Sequence, residues 1–358
     1  MRDAMLNHDT RFVPENDISL PFKYSITSYG ADYDVDGIVK RINRDDIRIP
    51  EFQRSFVWTL QQASKFIESL LLGLPVPGVF LSKEKNTNKL IVIDGQQRLK
   101  TLQFFYNGIF ERTGKEFQLT GLNPRSRFNT LTYKSLKTED KRMLDDSIIH
   151  ATIIKQDEPD DGDSSIYFIF ERLNTGGTQL QPQEIRTAIY YGEFSRVLNF
   201  LNKNLFWRDL YGKTSPRKRD VELILRFLAL YFDSANYEKP MQSFLNDFMG
   251  GNRDLESFDE QTIANVFFKT VEFIHDNLGI KAFKPKGALN AAIFDSLMVG
   301  VASRLRDGVI SNSQSFKRAY YELLDNEEYR QATETATTDE ENVQKRLNIA
   351  IQAFANVL

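Results

Sequence analysis

Ile91-Val92-Ile93-Asp94-Gly95-Gln96-Gln97-Arg98 (IVIDGQQR) joins an apolar, β-branched run to a polar turn, after which Leu99, Leu102 and Phe105 recur at helical spacing. The pattern predicts a buried strand ending at Asp94 and a helix starting after Gly95 and stopping near Asn107-Gly108, where glycine suits a left-handed cap. Two readings of this turn are open. In one, Gly95 lets a ligand approach the backbone, and the first-turn N–H groups and helix dipole favour a phosphate. Arg98 then supplies a planar donor fork, Gln96 and Gln97 offer amide donors, and Asp94 can hold a magnesium ion or orient a water. In the other, Asp94 followed three residues later by Gln97 is a capping box that merely starts the helix.

Upstream, residues 1–20 read as a polar tail, and Lys23–Gly30 as a strand. Val35, Ile38, Val39 and Ile42 mark a short helix interrupted by Gly37, and residues 45–50 an extended segment. Ala63, Phe66, Ile67, Leu70 and Leu71 form the stripe of a helix over about 60–72, and Val79–Ser82 pairs as a strand with Leu90–Ile93. Downstream, a loop at 119–127, a helix at 139–146 and a strand at 148–155 precede an acidic turn, Asp157–Asp163. Beyond Pro182 the pattern is helical, at 182–191, 194–203, 220–232, 260–278, 287–305, 314–325 and 339–357. The expected class is α+β, with a tail (1–20), an α/β domain (21–190) and a mostly helical domain (191–358).

With 41% apolar residues and a net charge of −3, the chain can bury a core but has no global attraction for nucleic acid. A DNA contact would need a local patch. The best is KTSPRKR, with Lys213, Arg217, Lys218 and Arg219; solvated charge before a helix is its alternative. There is no cysteine, so thiolate metal sites and cysteine nucleophiles are excluded. The start MRDAMLNHDT lacks the pattern of an export leader, and the expected location is the cytoplasm. No P-loop motif occurs.

Two further segments offer anion-binding chemistry. In Pro50–Trp58 (PEFQRSFVW), Gln53 and Arg54 sit among Phe52, Phe56 and Trp58, where partial desolvation would strengthen a guanidinium's hold on an anion. The alternative is a core aromatic segment with Arg54 in an ion pair. In Phe170–Gly177 (FERLNTGG), Asn174 and the paired glycines can form a nest of N–H groups. Pro182 then opens another helix with Glu184 in its first turn, which the dipole alone would also favour.

Taken together, IPEFQRSFVW, GLPVPGVFL, IDGQQRLKTL and FERLNTGGTQLQPQEIR resemble the DUF262 family, the N-terminal domain of the GmrSD type of modification-dependent restriction systems, over roughly residues 35–190. Arg219-Asp220 before VELILRFLAL is also similar. The resemblance implies a ParB/sulfiredoxin-like fold and NTP binding and hydrolysis coupled to DNA cleavage in phage defence, including sensing of modified DNA. By resemblance, Asp94, Gln96, Gln97 and Arg98 carry the catalysis, and Gln53, Arg54, Gly95, Asn174 and Glu184 bind the nucleotide, with Mg2+ on Asp94. Family members often act with an HNH nuclease, whose chemistry needs clustered histidines. His8, His150 and His275 are widely spaced, and structural roles are expected for His150 and His275. Cleavage is therefore assigned to a partner. A non-catalytic nucleotide- or DNA-binding switch is the alternative to an NTPase.

Overall fold

Strand β4 (Leu90–Asp94) lies inside a mixed five-stranded sheet of order β1-β7-β3-β4-β2. This is the computed structural model of the chain, and it describes residues 25–50, 56–84, 87–158, 167, 169 and 181–357. The other strands are β1 (Ser25–Asp34), β2 (Ile47–Arg48), β3 (Val79–Lys83) and β7 (Ile148–Glu158). β1 runs antiparallel to β7, β7 parallel to β3, β3 antiparallel to β4, and β4 parallel to β2. Leu90 and Val92 join the main core, and Ile91 and Ile93, pointing the other way, are buried too. Burial on both faces accounts for the continuous apolar run in the sequence.

The helices that pack with this sheet include α1 (Val35–Asn43), α2 (Leu60–Leu71), α3 (Gln96–Asn107) and α4 (Thr138–Asp145). Asp34 caps α1 by accepting the Gly37 N–H at 2.5 Å. A Cβ on Gly37 would meet that same carboxylate at 2.9 Å, which explains the glycine inside an otherwise regular helix. Thr59 and Gln62 form a capping box for α2, whose buried face carries Ala63, Phe66, Ile67, Leu70 and Leu71. These side chains pack with Val35, Ile38, Leu99, Leu102 and Phe105 against Val79, Leu81, Ile149, Ala151 and Ile153 of the sheet. Gly108 ends α3 at φ +80°. A two-stranded ribbon of β5 (Ile109–Phe110) and β6 (Lys115–Glu116), which the sequence pattern did not suggest, follows.

Residues 182–189 form α5 (Pro182–Ile189), the last helix of a compact unit spanning Lys23–Ile189; a second unit takes in Tyr190–Leu358. The second unit contains α6 (Glu193–Leu201), α7 (Leu205–Tyr211), α8 (Arg219–Asp233), α9 (Met241–Gly251) and α10 (Glu260–Leu278). It continues with α11 (Ala291–Arg306), α12 (Ser313–Asp325), α13 (Glu327–Glu334) and α14 (Glu340–Ala355). The class is α+β. α8 and α11 are buried along most of their length, and Gly300 of α11 lets the Ala350 carbonyl of α14 come within 2.9 Å of where a Cβ would sit. Asp295 of α11 ties three helices together by accepting from Arg226 of α8 (2.7 Å) and Arg346 of α14 (3.0 Å), all inside the core. Burial draws the Arg346 guanidinium below its ordinary value, and Asp295 opposes that shift. Among the described residues, no helix is long and apolar enough to cross a membrane.

Candidate functional site

The register of β3 and β4 sets Phe80 beside Asp94, so β4 ends where β3 begins. At that point the chain turns through Gly95, at φ +100°, into α3. A Cβ on Gly95 would lie 2.4 Å from Val79 Cγ1. The glycine therefore answers two local demands, a left-handed backbone and the close approach of Val79. The side on which a Cβ would sit is filled by Val79 and by Arg98 Nη2 at 3.2 Å.

Gly95 is the N-cap of α3 and brings no side-chain cap, and the first helical bond runs from Leu99 N to Gly95 O at 3.0 Å. The capping-box alternative does not apply, because Asp94 and Gln97 are each engaged elsewhere. Asp94 Oδ2 accepts from Arg98 Nη2 at 2.9 Å, and the same Nη2 donates to Gly78 O at 2.9 Å. Arg98 is 17% exposed and Asp94 46%. Arg98 Nε is buried and has no hydrogen-bond partner. Gln97 Oε1 accepts from the backbone N–H groups of Val57 (2.9 Å) and Trp58 (3.2 Å), and Gln96 is buried. The turn thus presents a braced guanidinium and a half-exposed carboxylate at a helix N-terminus without a side-chain cap.

Phe56–Trp58 packs along this helix. Phe56 meets Phe104 and Phe110 edge-on at 5.0 and 5.5 Å, and Trp58 meets Phe66 at 5.7 Å. Arg112, which the sequence reading did not select, donates to Val57 O and Trp58 O. Gln53, Arg54 and Asn174 lie outside the described residues, as do the tail 1–20 and the Gly176-Gly177 pair. Glu184 is buried and spends Oε2 on the Gln181 N–H (2.6 Å) at the start of α5. Beside it, Gln183 and Arg186, each only 1% exposed, bond to one another at 2.9 Å. Their signal in the sequence was a dense polar run, QPQEIR, on a helix whose apolar positions are few.

His150 stands on β7 opposite Asp32 of β1, with Nδ1 2.6 Å from Asp32 Oδ1, and both side chains are exposed. His275 contacts Asp276 at 3.0 Å and Asp209 at 3.5 Å, with its ring against Phe206. Among the described residues no group of three or more His, Cys, Asp or Glu side chains could hold a metal ion.

The basic loop is in the second unit, between α7 and α8. Buried Asp220 anchors it by accepting from Arg208 (2.9 Å), Asn202 (3.0 Å) and the Ser215 N–H (3.2 Å). Lys218, left-handed at φ 59°, reaches Asn199 at 3.1 Å. Lys213 is exposed, whereas Arg217, Lys218 and Arg219 are partly buried.

Compared with known proteins, residues 35–191 match the model of the GmrSD restriction endonuclease, N-terminal domain. The chain is also similar to an uncharacterized protein of Methanocaldococcus jannaschii, at 32% identity over 18% of this chain and 15% of that protein. The match therefore spans far less than two thirds of that relative's length.

Proposed function

Since residues 35–191 belong to the family of GmrSD restriction endonuclease N-terminal domains, we propose that the chain binds and hydrolyses a nucleoside triphosphate and controls DNA cleavage by a partner in a modification-dependent restriction system. The observation that carries this reading is the N-terminus of α3, which lacks a side-chain cap and bears Arg98, braced by Asp94 and the Gly78 carbonyl. Oriented N–H groups and a fixed guanidinium are the elements that offset phosphate charge. Bracing keeps Arg98 from reorganising as charge develops on a phosphoryl group.

Magnesium fits this arrangement, because that ion is commonly held by one or two carboxylates with phosphate oxygens and water. Asp94 would supply the carboxylate through Oδ1, since Oδ2 is bonded to Arg98. The ion would offset phosphate charge when bound. Gln96 lies next to the phosphates in this reading, whereas Gln97 is held by the backbone of Val57 and Trp58, and Glu184 fixes the start of α5. Lys213, the exposed member of the basic loop, is assigned to DNA phosphate together with Arg217, Lys218 and Arg219.

The test is a panel of nucleoside triphosphates with Mg2+, with and without modified DNA, comparing wild type with Arg98→Ala and Asp94→Ala of verified fold. Either substitution should lower turnover by about 10²-fold or more. Unchanged turnover in both variants refutes the catalytic assignment. A nucleotide-binding switch is the second reading, favoured because Gln97 spends its acceptor on the backbone of Val57 and Trp58. Saturable binding by the wild type without phosphate release selects it.

A further inference from the structure

Val57 and Trp58 belong to no helix or strand, yet their peptide groups are held on both sides. Gln97 Oε1 accepts both of their N–H groups, at 2.9 and 3.2 Å. Arg112 Nη1 donates to both of their carbonyls, at 2.8 and 3.3 Å. The two side chains thereby replace, on either side, the partners that a neighbouring strand would provide. Phe56, wedged between Phe104 and Phe110, and Trp58, against Phe66, fix the same segment through its rings.

Gln97 immediately precedes Arg98 in the first turn of α3, and Val57 is 48% exposed. We propose that Gln97 and Arg112 are positioning residues that latch Phe56–Trp58 onto the first turn of α3, at the residue before Arg98, and that nucleotide binding depends on this latch being closed. The inference rests on the nucleotide reading given above and adds the route by which Gln97 acts. Its oxygen serves the protein backbone, so its identity matters as an acceptor of two N–H groups and not as a contact to phosphate or water. Arg112 acts the same way from the opposite edge. A carboxylate can replace the Gln97 carbonyl as a double acceptor, whereas a thioether of similar size cannot.

The experiment uses the full chain and the variants Gln97→Met, Gln97→Glu and Arg112→Ala. Acrylamide quenching reports Trp58, because Trp207, the other of the two tryptophans, is fully buried. Equilibrium binding is measured with ATP and with GTP, each with Mg2+. Gln97→Met and Arg112→Ala are expected to raise Trp58 quenching and to weaken nucleotide binding about tenfold, the equivalent of one to two lost hydrogen bonds. Gln97→Glu is expected to keep Trp58 shielded and binding near the wild-type level. Wild-type quenching in Gln97→Met overturns the latch. So does a Gln97→Glu variant that shields Trp58 but binds as poorly as Gln97→Met, since Gln97 would then act on the nucleotide directly. A wild type that binds neither nucleotide refutes the nucleotide reading instead, and the quenching comparison separates that failure because it involves no nucleotide.

Discussion

Replacing Gly95 with alanine adds one methyl group at the junction of β4 and α3, and its cost follows from two separate terms. At φ +100° an L-residue carries about 1–2 kcal/mol of backbone strain. The new Cβ would also fall 2.4 Å from Val79 Cγ1 and 2.9 Å from Val79 Cβ. Valine is branched at Cβ and cannot swing that atom aside without moving the strand, so over-packing adds about 1–3 kcal/mol. The expected loss is about 2–5 kcal/mol, a large share of the roughly 5–15 kcal/mol that holds a domain together. Urea unfolding followed at Trp58, with Trp207→Phe in every protein so that one indole reports this unit, measures it. Adding Val79→Ala makes room for the methyl but leaves the backbone strain, so the double mutant should be more stable than the sum of the single losses by about 1–3 kcal/mol. A Gly95→Ala loss below about 1 kcal/mol, or strict additivity with Val79→Ala, would refute the account of this turn.

In the helical unit, Asp295→Asn would leave Arg226 and Arg346 facing each other in the core with no carboxylate between them. The expected loss is about 3–5 kcal/mol, partly recovered by Arg346→Met; thermal unfolding checks both, and a shift too small to see in the single variant contradicts the argument. Near α4, Tyr106 and Tyr133 stack at 4.1 Å and share the Asp145 carboxylate. Burial, reinforced by Asp145, pushes the Tyr133 phenol up to about 12 and Tyr106 up as well. The folded chain thus holds the Tyr133 proton more tightly than the unfolded chain, whose phenol titrates near 10.0. The stability it contributes is complete below pH 10.0 and is lost as pH rises toward about 12. Phenolate absorbance should show the delayed titration, Asp145→Asn should move it down, and an unmoved titration in that variant would count against the carboxylate as a cause.

Much of the sheet-bearing unit was legible because its signals are local. The stripe on α2 and the β-branched run of β7 each repeat within one element, and Gly108 marks the end of α3 through its own φ. Elements without such repetition escaped. β5 and β6 are two residues each, and α7 spans seven residues with its start signal in Asn204 alone. α9 also escaped, although Met241, Phe244, Leu245, Phe248 and Met249 recur at helical spacing between Gln242, Ser243 and Asp247, because Pro240 and Gly250-Gly251 bracket it with residues that read as loop.

The candidate site divides along the same line. The sequence by itself determined that a strand meets a helix at Asp94-Gly95 and that Arg98 rides in the first helical turn, since backbone dihedral limits and hydrophobic period act over a few residues. It left open whether Asp94 and Gln97 cap that helix, because an amide or carboxylate bonds whichever donor is nearest in space. Only the tertiary structure decided that Asp94 braces Arg98 while Gln97 reaches Val57, 40 residues upstream. That choice is made by packing: Phe56 against Phe104 and Phe110 brings two backbone N–H groups to Gln97, and no pattern around Gln97 encodes their arrival.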